Sequence, residues 1–230
     1  MSTDITPDFS LAYYASIITR AREAGYRVVT LAEFISLGCP DQRRLILRHD
    51  LDTKPASLAP MLEVERDLGV ASTVYVRVMG PEYNLYSYPL FTVLREAAAA
   101  GTEIGLHTNF AEFAAINNLD PYKVLESEVS IIRSFFDIAG ISCHRDINYI
   151  HNSLPALEDN FAEWGQKLNI SYQAYDKYIL GKTVYVNEGL SPHLCWRSLR
   201  PEEVIPSCRS IYLLTHSHWW YRNHPFEVPS

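Results

Sequence analysis

The sequence lacks several features that mark common classes of protein. Its 230 residues contain four widely separated cysteines, so it has no Cys-x-x-Cys pair for a thiolate zinc site. No basic start followed by an apolar core and a cleavage site opens the chain, which argues against export and fits a reducing compartment. No apolar run approaches the ~20 residues that cross a bilayer. We therefore expect a cytoplasmic protein without a membrane span.

The sequence also has no surplus of positive charge. Lys and Arg form no long runs and the net charge is −7, which argues against a nucleic-acid-binding surface. The first predicted strand is followed by "DLDTKPAS", which contains no glycine, so a dinucleotide-binding loop is excluded there. These absences leave a globular protein that acts on a small molecule or a carbohydrate.

Segments typical of strands and helices alternate from residue 44 onward, which predicts βα units on a parallel sheet. Polar residues follow several of the predicted strands, where (β/α) barrels place their functional side chains. We therefore expect an α/β fold, an open or irregular (β/α) barrel of roughly seven strands. No linker or repeat divides residues 1–230, so we predict one domain in which residues 1–40 form a helical extension.

The first predicted strand, "RRLILRHDLD", ends in an unusual group of charged residues. Side chains alternate along a strand, so Arg48, Asp50 and Asp52 share one face and His49 lies on the other. Two carboxylates on one face repel each other unless a metal ion or an arginine offsets them. We expect Arg48 to lie deeper and offset this charge, and His49 to face the surrounding helices.

Three later strand ends also carry polar side chains. "TEIGLHTN" contains His107, "ISCHRDIN" contains His144 and Arg145, and "IYLLTHSHWW" contains His216. One aspartate, one histidine and one further ligand suit a divalent metal ion with an open position for water. A second carboxylate beside that water is a candidate base, and a histidine across the pocket is a candidate acid. The residues therefore indicate metal-assisted hydrolysis.

Together these segments resemble the polysaccharide deacetylase (NodB-homology) superfamily. "RHDLD" resembles its first motif, "GTEIGLHTN" its second, "SCHRD" its arginine-bearing third and "LLTHSHWW" its terminal Leu-x-His motif. The four motifs occur in the family's order, between about residues 44 and 221. The resemblance implies a distorted seven-stranded (β/α) barrel and metal-dependent hydrolysis of an N- or O-acyl group on a carbohydrate.

The resemblance also implies roles for individual residues. Asp50 matches the general base, and Asp52 and His107 match metal ligands. His216 matches the general acid that protonates the leaving group, and Arg145 matches the arginine that orients the catalytic aspartate.

The second motif departs from the family pattern at its last position. The usual form is His-Ser/Thr-x-x-His, with the second histidine as a metal ligand, but here Ala111 takes that place. We expect His144 to supply the third ligand, with Asn109 as the second candidate. The divalent metal expected at such a site is Zn²⁺.

Aromatic residues near the predicted strand ends bear on the substrate. Asn109, Trp219 and Trp220 are the candidates for substrate contact, because aromatic faces can stack on sugar rings. The expected substrate is an acylated precursor in surface polysaccharide or lipopolysaccharide biosynthesis. Two alternatives stay open: a carbohydrate-binding relative without catalysis, and a metal-dependent amidohydrolase that acts on a small non-sugar amide.

Overall fold

The computed structural model describes residues 9–78, 80–144, 152–190, 194–207 and 209–223. The strands in these ranges are β1 (Arg27–Val29), β2 (Arg44–Leu51), β3 (Thr73–Val76), β4 (Glu103–Thr108), β5 (Gly140–Cys143), β6 (Tyr172–Gln173), β7 (Thr183–Leu190), β8 (Leu194–Trp196) and β9 (Ser210–Thr215). The α-helices there are α1 (Leu11–Glu23), α2 (Leu31–Ser36), α3 (Leu58–Leu68), α4 (Tyr88–Ala99), α5 (Phe110–Asn117), α6 (Pro121–Arg133), α7 (Ser153–Leu168), α8 (Lys177–Lys182) and α9 (Pro201–Val204). None of these helices combines the length and the apolar character needed to cross a membrane.

Seven strands form one parallel path, in the order β6-β5-β4-β3-β2-β9-β7. The two flanks of this path approach each other, since the rings of Tyr175 and Tyr185 have centroids 6.4 Å apart. The Tyr212 hydroxyl of β9 also donates a hydrogen bond to the Ala174 carbonyl beyond β6. The sheet is thus curled into an open barrel, and the predicted fold class is confirmed.

Two short strands extend this path. β8 runs antiparallel to β7, and β1 pairs in parallel with the first half of β2, so that Arg27 lies opposite Arg44. Residues 1–40 were predicted to be a helical extension, but β1 belongs to the main sheet and Ile17 and Ile18 of α1 are buried in its core. Thr30 caps α2 as predicted, because its side chain accepts a hydrogen bond from the Glu33 amide.

The strand register brings the charged strand ends to one edge of the barrel. Arg48 of β2 lies opposite Leu214 of β9, and His107 of β4 lies opposite Ser142 of β5. All these strands are parallel, so their carboxyl ends meet at the same edge. The residues that follow β2, β4, β5 and β9 are therefore neighbours in space.

Gly105 in the middle of β4 leaves space for a buried ring. A Cβ atom at this position would lie 2.4 Å from Cε1 and 2.6 Å from Cδ1 of Tyr75. The Tyr75 side chain is fully buried, and its ring centroid lies 5.1 Å from the guanidinium carbon of Arg48. The glycine therefore fixes the position of a ring that packs against the interior arginine.

We expect Gly105→Ala to lower the free energy of unfolding by about 1–3 kcal/mol, because overpacking forces the Tyr75 ring to move. Urea denaturation followed by circular dichroism measures the change. Gly181→Ala is the matched control, since no atom lies within 4 Å of a Cβ there and alanine favours the helix over glycine. Equal unfolding free energies for the two variants would contradict the packing argument.

Candidate active site

Three side chains from three strand ends form a cluster that could hold a metal ion. Ligand atoms of Asp52, His107 and His144 all lie within 4.8 Å of one another. The Asp52 Oδ1 atom is 3.0 Å from His107 Nε2 and 3.7 Å from His144 Nε2. His144 is held in place by its backbone amide, which donates to the Thr108 carbonyl at 2.7 Å. The structure thus brings together the three residues that the sequence suggested as ligands.

The hydrogen bonding of His107 suits a cation at this cluster. Its Nδ1 atom lies 3.0 Å from the Ser142 carbonyl oxygen, which can only accept, so Nδ1 carries a proton. In a neutral ring the Nε2 lone pair then faces the Asp52 carboxylate, and two acceptors at 3.0 Å repel each other. A second ring proton or a shared metal ion relieves that repulsion. A carboxylate, two imidazoles and a carbonyl that orients one of them are the donors found at zinc sites.

Asp50 lies beside this cluster in a fully buried ion pair. Arg48 donates from Nε to Asp50 Oδ1 at 2.8 Å and from Nη2 to Oδ2 at 2.7 Å. Burial alone would raise the pKa of Asp50, but the charges of Arg48 and His107 hold it below its usual value. The Asp50 Oδ2 atom is 3.7 Å from His107 Nε2, so the carboxylate faces the cluster as an ionised group.

Arg48 thus provides the contact to Asp50 that the resemblance assigns to Arg145, a residue that lies outside the described ranges. The guanidinium carbon of Arg48 also lies 4.4 Å from the centroid of the Tyr175 ring. Its Nη1 and Nη2 atoms donate to the hydroxyls of Tyr212 at 3.1 Å and Ser142 at 2.5 Å. The arginine that sequence alternation placed beneath the carboxylates is therefore fully enclosed by partners.

His216 lies on the opposite side of Asp52. Its Nε2 atom is 3.6 Å from Asp52 Oδ2, and its Nδ1 atom is 3.5 Å from Glu188 Oε1. Burial alone would lower the pKa of His216, but the hydrogen bond and charge of Glu188, followed by the charges of Asp52 and Asp50, raise it. The ring is therefore poised to carry a proton toward the cluster.

Glu188 is a part of the site that the sequence analysis missed. It is 1% exposed, and its carboxylate accepts hydrogen bonds from the His216 backbone amide and from Trp220 Nε1. Burial raises its pKa, while its contacts with His216 act in the opposite direction. The available signal was the glutamate itself, since an acidic residue within the apolar strand "TVYVNEGL" needs a partner inside the protein.

The other face of β2 carries a separate buried network. His49 Nε2 is 2.5 Å from Glu65 Oε1, and His49 Nδ1 is 2.6 Å from Thr215 Oγ1. The Glu65 carboxylate also accepts hydrogen bonds from the hydroxyls of Tyr14 at 2.6 Å and Ser72 at 2.7 Å. His49 therefore points toward the helices as predicted, and it ties α1 and α3 to the back of the sheet.

One cavity of about 500 Å³ connects these groups. Its walls include Asp50, Asp52, His107, His144, His216 and Trp219. The Trp219 ring lies against His216, with ring centroids 4.5 Å apart. Of the three residues suggested for substrate contact, Trp219 is the one that the structure places at this cavity.

The expected substrate contact of Trp220 is wrong. Its side chain is 6% exposed, and its ring stacks on Tyr13 with centroids 6.0 Å apart and an interplanar angle of 19°. Its indole N–H donates to Glu188 at 3.3 Å, which places it behind the His216–Glu188 pair. Two consecutive tryptophans on a short 3-10 turn point in different directions, and the second is part of the core.

Asn109 is also misplaced by the sequence analysis. Strand alternation put it on the face of His107, but β4 ends at Thr108 and Asn109 is the N-cap residue of α5. Its side chain lines a separate groove outside the sheet, where Nδ2 lies 3.4 Å from Glu112 Oε2. Asn109 therefore neither joins the candidate metal cluster nor lines the cavity around it.

Comparison with known proteins gives two structural likenesses. No protein-family model and no curated protein sequence matches the chain. One solved structure is the catalytic domain of peptidoglycan N-acetylglucosamine deacetylase from Eubacterium rectale ATCC 33656, at 16% identity and a TM-score of 0.47, covering 77% of this chain and 78% of that one. Another is the chitin deacetylase from the fungal pathogen Colletotrichum lindemuthianum, at 14% identity and a TM-score of 0.41, covering 75% and 73%. Both are deacetylases, the class of protein whose motifs this sequence resembles.

Proposed function

We propose that this protein is a metal-dependent hydrolase that removes an acyl group from a carbohydrate. The observation that carries the proposal is the arrangement within one cavity. A cluster of Asp52, His107 and His144 lies between an ionised carboxylate, Asp50, and a histidine, His216. This is the arrangement that hydrolysis with a separate base and acid requires.

The donor set of the cluster fits Zn²⁺, which Asp52, His107 and His144 would hold. When bound, a divalent ion with an open position polarises an acyl carbonyl and makes water a stronger nucleophile at neutral pH. The chain supplies the rest of the chemistry. The Ser142 carbonyl fixes the orientation of His107, and Arg48 keeps Asp50 ionised.

Asp50 and His216 divide the proton transfers. As a water oxygen bonds to the acyl carbon, Asp50 accepts the water proton, because its Oδ2 atom faces the cluster. As the bond from the acyl carbon to nitrogen or oxygen breaks, His216 donates its proton to the leaving sugar atom. Glu188 stabilises the charged form of His216 before the transfer. The products are a carboxylic acid and an amino or hydroxyl group on the sugar.

A carbohydrate is the proposed substrate because the cavity wall offers aromatic faces beside its polar groups. Trp219, Tyr175 and Tyr185 all line the cavity. Aromatic rings provide flat, apolar contact area together with a polar edge, which suits the faces of a sugar ring. The acyl group then lies at the metal cluster and the sugar lies toward these rings.

Acetate release from N-acetylated and O-acetylated sugars, measured with zinc-loaded protein, tests the proposal. We expect Asp50→Asn and His216→Ala to lower the rate about 10²–10⁴-fold, which is the usual contribution of a general base or acid. Asp67→Asn is the matched control, because Asp67 is exposed on α3 and distant from the cavity. Release from small non-sugar amides but from no acetylated sugar would replace the carbohydrate by an amide substrate. Full activity of Asp50→Asn would overturn the mechanism.

A further inference from the structure

Arg197 stands apart from the other charged groups of the cavity. The acidic residues of the wall each have cationic or histidine partners: Asp50 has Arg48, Asp52 has His107, and Glu188 has His216. Arg197 also lines this cavity, and within the described ranges its guanidinium has neither an ion pair nor a hydrogen bond. The cavity therefore contains one full positive charge that the chain itself does not offset.

The backbone around Arg197 is well anchored. Arg197 follows β8, and its amide donates to the Asn187 carbonyl of β7 at 3.0 Å. The neighbouring Trp196 is 9% exposed and donates from Nε1 to the Tyr13 hydroxyl at 3.0 Å. The arginine stem lies against Gly189, where an added Cβ would be 2.7 Å from Arg197 Cγ and 3.1 Å from Nε. A fixed backbone and a glycine floor direct the side chain along the hairpin.

The hairpin places Arg197 on the same wall as the candidate acid. Asn187, whose carbonyl holds the Arg197 amide, pairs with Leu214 two residues before His216. In the proposed reaction His216 protonates the leaving sugar atom, so the sugar lies on this wall and the acyl group lies at the metal cluster. A charge on Arg197 therefore acts on the sugar and not on the acyl group.

We propose that Arg197 recognises an anionic group on the sugar, so that the substrate is an acylated sugar carrying a carboxylate or a phosphate. This inference rests on the proposed function, because it concerns the substrate of the same cavity. A guanidinium binds either anion through charge-assisted, often bidentate hydrogen bonds. The neutral lining residues Asn152, Asn187, Tyr175 and Tyr185 leave this arginine as the group that separates anionic from neutral sugars.

Calorimetric titration with three probes tests the inference: N-acetylglucosamine, N-acetylglucosamine 1-phosphate and N-acetylglucosaminuronic acid. We expect the wild-type protein to bind at least one anionic probe about tenfold or more tightly than the neutral sugar. The tighter of the two anions identifies a phosphate or a carboxylate. Arg197→Gln removes this preference and leaves the affinity for the neutral sugar unchanged, whereas Arg197→Lys retains part of it.

Arg95→Gln is the matched control, because Arg95 is an exposed arginine on α4 and its loss leaves the cavity intact. Equal affinity for all three probes, no binding of either anion at millimolar concentration, or an unchanged preference in Arg197→Gln would overturn the inference. Acetate release is measured separately on neutral acetylated sugars. A preference for anions without any release contradicts the proposed function alone, and release without such a preference contradicts this inference alone.

Discussion

Asp52→Ala and His107→Ala are each expected to abolish stoichiometric zinc binding. The wild-type protein should hold about one zinc ion per chain, because the cluster offers three ligands of the kinds that catalytic zinc sites use. Loss of a hydrogen-bond partner behind a ligand already weakens metal binding about 10–100-fold, so loss of a ligand should weaken it by at least about 100-fold. Elemental analysis of purified protein, followed by competition with a zinc chelator, measures the change.

His144 and Asn109 provide a sharper comparison, because both were candidates for the missing third ligand. His144 Nε2 lies 3.7 Å from Asp52 Oδ1, whereas Asn109 lines a different groove. We therefore expect His144→Ala to weaken zinc binding as strongly as His107→Ala, and Asn109→Ala to leave it unchanged.

His218→Ala controls for the loss of a nearby histidine, since His218 lies outside the cluster with its ring 6.0 Å from that of His216. Asp50→Asn should keep the metal and lose the activity, because Asp50 is placed as the base. Wild-type protein that stays free of zinc in excess zinc would overturn the metal-dependent proposal, as would equal zinc content in all variants.

The barrel and the cluster could be predicted because both follow from local periodicity. Alternating βα segments specify a parallel sheet, and parallel strands bring their carboxyl ends to one edge. Asp52, His107 and His144 stand at or just beyond such ends, so their meeting needed no knowledge of helix packing. Arg48 was placed by the same alternation, two residues before Asp50 on the inner face.

The errors arise where the chain leaves its regular path. Alternation fails for Asn109 because β4 has already ended, and the α5 helix that begins at Phe110 was not predicted. Trp220 follows a 3-10 turn, whose direction depends on the aromatic cluster around it. Glu188 was missed because its partner, His216, lies 28 residues further along the chain. Contacts of this kind depend on tertiary packing, which a single sequence does not display.

The strongest effect on stability is expected from the buried pair of Arg48 and Asp50. Arg48→Met should lower the free energy of unfolding by about 3–5 kcal/mol, because it leaves a carboxylate without its cation in the interior. Arg48 is 0% exposed and Asp50 is 2% exposed, so water does not replace the lost partner. Urea denaturation measures the loss, and Arg95→Met, on the exposed face of α4, is the matched control.

A second variant separates charge from shape. The double variant Arg48→Met with Asp50→Leu removes both charges, and apolar replacement of a buried pair is often neutral in stability. We expect it to regain most of the stability that Arg48→Met loses. If the double variant were as unstable as the single one, the deficit would come from lost packing around Tyr75 and Tyr175 and not from an unpaired carboxylate.

The pH dependence of the same variant follows from the pKa of Asp50. In the wild-type protein this pKa is held below its usual value, so the pair's contribution is complete above about pH 4 and is lost as pH falls through the lowered pKa. In Arg48→Met, burial acts without the cation and raises the pKa above its unfolded value. Lowering the pH from 7 toward 4 then protonates the buried carboxyl and should narrow the difference in unfolding free energy between variant and wild type. A difference that stays constant over this range would show that the Asp50 charge does not cause the loss.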